Sequence, residues 1–149
     1  MSKKRGIKRH DSLQPLSRHH MIGLHVALKL SRAGTDKSRI SLEEILQDAE
    51  DFWVPDGKEH FREEEEILLP AYAQYADIHD PLITEMLLEH VLIRSQMEQL
   101  LLHKLSLPQM RELGTLLDAH IRQEERVIFP MIEKALPEEA LIELAPYLH

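Results

Sequence analysis

Apolar side chains recur at helical spacing along most of the chain, and no segment keeps the two-residue alternation of a half-buried strand. Four long helices are predicted, running from Ser12 to about Arg32, from Ser41 to about Tyr72, from Asp80 to about Lys104 and from Pro108 to about Ala135. The last segment, PEEALIELAPYLH, predicts a short closing helix. This pattern predicts an all-α fold: an up-down-up-down four-helix bundle with a short extra C-terminal helix.

Capping residues and prolines indicate where these helices begin, bend and end. Ser12 is a predicted N-cap of the first helix, and Ser41 forms a capping box with Glu44 at the start of the second. Pro55 interrupts the second helix, which either kinks there or stops and restarts with the proline in its first turn. Pro70, and the proline sixty residues after it, should each bend or end a helix.

One polar motif occurs twice. The segment HFREEEEILLP, which starts at His60, returns sixty residues later as HIRQEERVIFP, which starts at His120. Each copy contains His-x-x-x-Glu, with Glu64 in the first and Glu124 in the second. Because residues four apart lie on the same face of a helix, each copy points an imidazole and a carboxylate at one place. Two such helices that face each other would offer four metal ligands to a shared centre.

The first and third helices each add a histidine to this set. His20 and His90 lie on the apolar stripes of these helices, and the segments around them, RHHMI and LEHVL, resemble each other. His19 is the alternative ligand from the first helix, because adjacent helical residues point about 100° apart and only one of the two can face the centre. The alternative to a metal site is a set of buried neutral imidazoles, but burying so many polar groups without a metal would be costly.

Composition limits the choice of metal and of partner. The 149 residues fit one domain and include no cysteine, so the ligands must be nitrogen and oxygen, which suit iron, manganese or zinc. The net charge of −8 argues against nucleic-acid binding, and no apolar run is long enough to span a bilayer, so a cytoplasmic protein is expected. Residues 1–11 carry five Lys or Arg against one Asp, which predicts a disordered basic tail before a folded domain at residues 12–149.

The segments LSRHH, HFREEEEILLP, LLEHVLIR and HIRQEERVIFP resemble the hemerythrin family, in particular its bacterial His-His-Glu (HHE) cation-binding branch. The resemblance covers approximately Leu16 to Glu133. It implies two non-haem iron ions inside a four-helix bundle, with manganese or zinc as substitutes. The implied roles are a first iron on His20 and His60, a second on His90 and His120, and bridging carboxylates from Glu64 and Glu124.

The chain departs from the oxygen-carrying members of that family at Met86, where they place a fifth histidine. A thioether is a poor ligand for oxidised iron, so Met86 is expected to fill the core or cover the site. Each implied iron then has two imidazoles, two bridging carboxylates and a solvent bridge, which leaves an open position. Glu63, Glu89 or Glu125 could fill this position as an extra carboxylate ligand, and His19 is a further candidate ligand.

An open position on a redox metal implies binding of, or reaction with, O2, peroxide or NO. Redox or oxygen sensing and defence against oxidative or nitrosative stress are the expected roles, and the residues do not decide whether the chain is an enzyme. One alternative is iron sequestration or delivery without turnover. Another is a structural bundle in which the metal only stabilises the fold. The expected partner is a diatomic ligand or peroxide, and a homodimer is compatible with the sequence.

Overall fold

The computed structural model describes residues 8–149, and within that range the chain is helical and contains no strand. Four long helices and a short C-terminal helix form the fold, as predicted. A 3-10 turn at Asp11–Leu13 leads into the first long helix, α1 (Gln14–Ser31). The third long helix, α5, covers Pro81–Leu101. The short C-terminal helix, α8, covers Glu138–Leu144 and continues into a 3-10 turn at Ala145–Tyr147.

The second and fourth long helices each contain wider turns of the π type. The second consists of α2 (Leu42–Phe52), a π turn at Trp53–Gly57, α3 (Lys58–Glu63), a π turn at Glu64–Leu68 and α4 (Leu69–Ala73). The fourth consists of α6 (Leu107–Gln123), a π turn at Glu124–Ile128 and α7 (Phe129–Ala135). Both rods therefore stay helical along their length.

Proline explains the position of these π turns. Proline lacks an N–H, and its ring clashes with the carbonyl four residues earlier in an ordinary α-helix. Just before Pro70, the N–H of Leu69 donates to the carbonyl of Glu64, five residues back, and the same widening precedes Pro130. Pro55 lies inside the first π turn. The chain therefore stays helical through Pro55 instead of stopping and restarting there, and no long helix ends at a proline.

Of the two side-chain caps predicted from the sequence, one is confirmed and one is wrong. The capping box of Ser41 and Glu44 is confirmed, and Ser106 forms a second box with Gln109 at the start of α6. Ser12 is not a cap: it is buried inside the 3-10 turn, and the ring of His10 accepts the hydrogen bond from its backbone N–H. The 3-10 turn takes the place of a capped start because it packs against the C-terminal segment.

The segment before this turn also contacts the bundle. Residues 1–7, which hold most of the predicted basic tail, lie outside the described residues. Arg9 is buried and donates to Glu133 Oε1 at 3.1 Å and to the backbone oxygen of Glu125 at 2.6 Å. The backbone N–H of His10 donates to Glu133 Oε2 at 2.6 Å. The packed part of the chain therefore includes Arg9 and His10.

The apolar interior consists of two clusters. One includes Val26 and Leu30 of α1 with Ile93 and Met97 of α5. The other includes Leu16 of α1, together with apolar residues from α4, the start of α5, α7 and α8. On every long helix, polar residues of the repeated motifs lie between residues of the two clusters. The fold thus places those polar side chains inside the bundle, where water is scarce.

The helices α1 and α6 pack most closely of all pairs. A Cβ atom on Gly114 of α6 would lie 2.6 Å from the carbonyl oxygen of Ala27 and 2.6 Å from the backbone nitrogen of Ser31. Only glycine fits so close to a neighbouring backbone. Within residues 8–149, no helix has both the length and the apolar character needed to span a membrane.

Candidate metal centre

Six buried side chains from the four long helices converge at the middle of the bundle. Their donor atoms form two overlapping groups, and within each group the atoms lie within 4.8 Å of one another. One group comprises His20, His60, Glu64 and Glu124, and the other comprises His90, His120, Glu64 and Glu124. Each of the six side chains is at most 4% exposed. The structure therefore brings together all six residues that the sequence predicts, and the two glutamates belong to both groups.

Every imidazole presents its Nε2 atom to the centre. In the first group, His60 Nε2 lies 2.8 Å from Glu64 Oε2, and His20 Nε2 lies 3.0 Å from Glu124 Oε1. In the second group, His120 Nε2 lies 2.8 Å from Glu124 Oε2. His90 Nε2 lies 3.1 Å from an oxygen of each glutamate. The arrangement has an approximate two-fold relation that follows the sequence repeat.

Aromatic rings enclose the centre. Phe61 stacks on His90 with ring centroids 3.9 Å apart and an interplanar angle of 3°. Phe129 stacks on His20 at 5.4 Å and 18°. Both phenylalanines are buried, so they exclude water from the imidazoles and fix the planes of the rings.

The donor set fits a metal cation. Within residues 8–149, three buried atoms of the centre have no hydrogen-bond partner in suitable geometry: Glu64 Oε1, Glu124 Oε1 and His120 Nε2. A buried polar atom without a partner costs about 1–3 kcal/mol, so these atoms call for a further partner. Imidazole nitrogens and carboxylate oxygens are donors that iron, manganese and zinc accept.

Electrostatics in the centre favour positive charge. Burial lowers the pKa of His20, but hydrogen bonds to Glu124 and Glu125 outweigh burial and raise it to about 10. The same competition between burial and neighbouring glutamates raises the pKa of His90 to about 11 and that of His120 to about 9. These glutamates thus stabilise a proton on His20, His90 and His120, and a metal cation could take the place of those protons.

Glu124 remains ionised for the complementary reason. Burial raises the pKa of its carboxyl group, but the charge of His120 and hydrogen bonds from His120, His20 and His90 hold it well below the usual range. The centre therefore holds a buried carboxylate that is compensated only by cationic partners. This is the electrostatic environment of a cation site.

The Nδ1 atom of each imidazole, the outer nitrogen, points away from the centre and also contacts a side chain. Each Nδ1 atom contacts a side chain on a neighbouring helix, and the four contacts are His20–Glu125 (2.6 Å), His120–Glu89 (2.8 Å), His90–Glu65 (2.6 Å) and His60–His19 (3.2 Å). In the same order, the contacts link the first long helix to the fourth, the fourth to the third, the third to the second, and the second to the first. The four contacts therefore form a closed ring around the bundle, which we call the outer ring.

Glu125 and Glu65, two acceptors of the outer ring, also accept hydrogen bonds from side chains that do not belong to the centre. Glu125 also accepts hydrogen bonds from Ser17 Oγ at 2.7 Å and Arg9 Nη2 at 3.3 Å. Glu65 also accepts from Arg94 Nη2 at 2.9 Å. Burial raises the pKa of both carboxyl groups, but hydrogen bonds from the imidazoles and from these neighbours lower it overall. Both side chains are therefore ionised acceptors for the imidazole N–H.

The four additional ligands that the sequence suggested lie outside the two donor groups. Glu89 and Glu125 contact the outer nitrogens of His120 and His20, and His19 contacts that of His60. Glu63 is buried elsewhere and accepts hydrogen bonds from the backbone N–H of His149 at 2.8 Å and from its ring at 2.9 Å. Of the adjacent histidines on α1, His20 thus belongs to a donor group and His19 does not.

Glu65 is the member of the outer ring that the sequence reasoning missed. It lies in a run of four glutamates, in which only Glu64 has the four-residue spacing from His60 that the repeated motif requires. The signal that identifies it is the sixty-residue repeat, because Glu65 corresponds to Glu125. Both residues directly follow a shared glutamate and both contact the imidazole of a neighbouring helix.

The remaining predicted positions lie outside the centre. Met86 is buried in an apolar cluster and acts as a core residue, as predicted. His25, His79 and His103 are exposed. His10 caps the 3-10 turn and contacts Glu138 Oε2 at 3.0 Å.

The family model described as "Hemerythrin HHE cation binding domain" matches residues 15–136. No significant match was found among curated proteins or among solved structures. The matched range contains all six donors of the centre and all four members of the outer ring that contact them. It also covers most of the 149 residues. The chain therefore belongs to the hemerythrin HHE cation-binding domain family.

Proposed function

We propose that the chain holds two non-haem iron ions and uses them to bind or react with O2, peroxide or NO, in redox sensing or in defence against oxidative or nitrosative stress. Membership of the cation-binding family supports a metal function, and iron is the typical metal of that family. The observation that carries the proposal is the convergence of four imidazoles and two carboxylates, all buried, on two overlapping groups.

The ligand assignment follows the two groups. We assign His20 and His60 to one ion and His90 and His120 to the other, with the carboxylates of Glu64 and Glu124 shared between the two. The overlap supports this assignment, because each glutamate has one oxygen within 3.1 Å of His90 Nε2 while the same two side chains also belong to the first group. Shared carboxylates would keep the two ions close together.

Each ion would have four donors from the protein, two imidazoles and two shared carboxylates. Non-haem iron commonly binds more ligands than this, and open positions on such iron are used for oxygen chemistry. When bound, the iron pair supplies electrons and open coordination positions to a small oxidant. The buried, aromatic-lined surroundings would favour a small ligand over a bulky one.

The chain's own side chains prepare the site for this role. Each carboxylate of the outer ring accepts a hydrogen bond from the Nδ1–H of its imidazole, which fixes the tautomer that leaves the Nε2 lone pair directed to the centre. Phe61 and Phe129 hold two of the rings in plane and keep water away. These contacts would hold the imidazoles in place whether or not a small ligand is bound.

An up-down-up-down arrangement of the four long helices is part of the proposal. It is supported by the order of the two apolar clusters, which alternates from helix to helix. Leu16 precedes Val26 on α1, and Ile83 precedes Ile93 on α5, so both helices run from the second cluster to the first. The second and fourth long helices run in the opposite order.

Metal analysis of specific variants tests the assignment. His60→Ala or Glu124→Ala should remove at least one of the two metals and lower Tm by roughly 10 °C, because each change deletes a ligand and leaves its partners buried. Elemental analysis of anaerobically purified protein, with its visible spectrum, measures the metal content. His79→Ala and Glu98→Ala are controls at exposed positions. Unchanged metal content in both ligand variants would refute the assignment.

Small-molecule probes separate this proposal from storage and from a structural role. Azide should change the absorption spectrum if a coordination position is open, whereas a structural site would be closed to it. Repeated consumption of added peroxide would indicate turnover. A spectrum that returns unchanged after peroxide, without consumption, would favour iron storage or delivery.

A further inference from the structure

The outer ring breaks the symmetry of the sequence repeat at one position. Glu65 and Glu125 are equivalent in the two halves of the chain, and both contact an imidazole Nδ1 at 2.6 Å. The other two ring members directly precede the imidazoles of α1 and α5 and are equally equivalent. On α5 that position is Glu89, and on α1 it is His19. Through their Nδ1 atoms, three imidazoles therefore contact a carboxylate, and His60 contacts another imidazole.

The contact at His60 is geometrically distinct from the other three. Its Nδ1 lies 3.2 Å from His19 Nδ1, whereas the three carboxylate contacts measure 2.6–2.8 Å. His19 is held in this position by stacking on Phe52, with ring centroids 5.0 Å apart and an interplanar angle of 16°. When His60 presents an Nε2 lone pair, its Nδ1 carries a proton, so the Nδ1 lone pair of His19 must accept the hydrogen bond from that N–H.

A carboxylate and a neutral imidazole are not equal acceptors. A carboxylate on the outer nitrogen makes a ligating imidazole more basic, and loss of such a partner commonly reduces metal affinity by about 10–100-fold. At their Nδ1 atoms, the pair His90 and His120 together has two carboxylate partners, whereas the pair His20 and His60 together has one. The acceptors at the Nδ1 atoms of His20 and His60 thus carry one negative charge fewer than those at the Nδ1 atoms of His90 and His120.

Nearby cations do not remove this difference. The carboxylates of Glu65 and Glu125 each have an arginine partner, Arg94 at 2.9 Å and Arg9 at 3.3 Å, so the two equivalent acids are balanced alike. Glu89 has no Lys or Arg within 4.0 Å in the part of the chain that the structure describes. Its negative charge is therefore directed to His120 without a competing ion pair.

We propose that His19 is a positioning residue that makes the two cation sites unequal. The site at His90 and His120 binds its cation more tightly, the site at His20 and His60 binds more weakly, and the two sites fill in that order. The protein would then hold a single metal ion when metal is scarce and complete the pair only when metal is abundant. This inference rests on the proposed function, because it takes the two donor groups to be the metal sites.

Titration of the full-length chain with Mn²⁺ alone tests the inference. Two binding steps are expected, with dissociation constants that differ by about 10–100-fold. Electron paramagnetic resonance should show an isolated Mn²⁺ at one equivalent and a magnetically coupled pair at two. His19→Glu should tighten the weaker step by about tenfold and bring the two steps together. His25→Glu on an exposed part of the same helix is the matched control and should leave both steps unchanged.

A variant at the tighter site tests the same inference. Glu89→Gln should weaken the tighter step until the two steps coincide, whereas Glu98→Gln, on an exposed part of the same helix, should not. Two equal steps in the unmodified chain would overturn the inference but leave the proposed function intact. The inference would also be overturned if His19→Glu left the weaker step unchanged and Glu89→Gln weakened the weaker step instead of the tighter one. Absence of any Mn²⁺ binding would instead refute the proposed function, and the inference with it.

Discussion

Three consecutive glutamates in the second long helix have three different environments. Glu63 is buried against the C-terminal residue, Glu64 points into the centre, and Glu65 contacts His90 at its edge. Successive residues of a helix point about 100° apart, which separates the three side chains. The spacing of His60 and Glu64 is local, so the sequence predicts it. The partners of Glu63 and Glu65 come from distant segments, so the spacing of residues along the helix does not predict them.

The contact between Glu63 and His149 predicts a stabilising role for the last residue. Replacing His149 by Ala removes the ring that donates to a carboxylate that is only 2% exposed, although the backbone N–H remains. We expect the free energy of unfolding to fall by about 1 kcal/mol, since the ring itself is largely exposed. Thermal unfolding of the metal-loaded protein measures the effect. His79→Ala, at an exposed position, should have no effect, and an equal Tm for both variants would contradict the prediction.

At the scale of elements, the helices were predictable and the π turns were not. Periodic apolar positions and the Ser41 capping box determine where helices form. A proline near the end of a helix indicates a bend or a stop, but it does not reveal whether the chain can stay helical by widening a turn. Pro70 and Pro130 follow a π turn because buried apolar residues occur both before and after each proline along the chain, so continuing the helix buries more apolar surface than ending it.

The close contact between α1 and α6 predicts that Gly114→Ala destabilises the protein. In an exposed helix this change would stabilise by about 1 kcal/mol. Here the new Cβ would meet the backbone of Ala27 and Ser31 at 2.6 Å and push the helices apart, with an expected net loss of about 1–2 kcal/mol. Tm should fall by roughly 4 °C. Thr115→Ala, at the exposed neighbouring position, is the control, and a raised Tm for Gly114→Ala would refute the argument.

At the scale of the whole molecule, the proposed metals lie between the two apolar clusters and should link their stabilities. A chelator should lower Tm by roughly 10 °C and leave the helical content largely intact, because metal binds the folded state and the clusters persist without it. Thermal unfolding followed by circular dichroism, before and after chelation, measures both quantities. Adding metal back should restore Tm. The same Tm in protein proven to be free of metal would contradict the prediction.

The all-helical fold and the convergence of six donors could be anticipated because both derive from repeated local patterns. The outer ring could not, since it depends on which helix lies beside which. The segment that contains Arg9 is a further example. Its basic composition is typical of a disordered tail, yet Arg9 is buried beside Glu125 and Glu133, and only the packed bundle shows that these acids lie within its reach.

The outer ring also has a mechanical consequence. Three of its contacts join an imidazole to a carboxylate, and one joins two imidazoles over a longer distance. Thermal fluctuations should separate the weakest of these four contacts most often. That contact joins His19 to His60 and lies at the interface, or seam, between α1 and α3. Transient separation of that seam would uncover His20 and His60 before the opposite pair. The path by which an ion enters or escapes should therefore run along this seam, on the side of the molecule where His19 is stacked on Phe52.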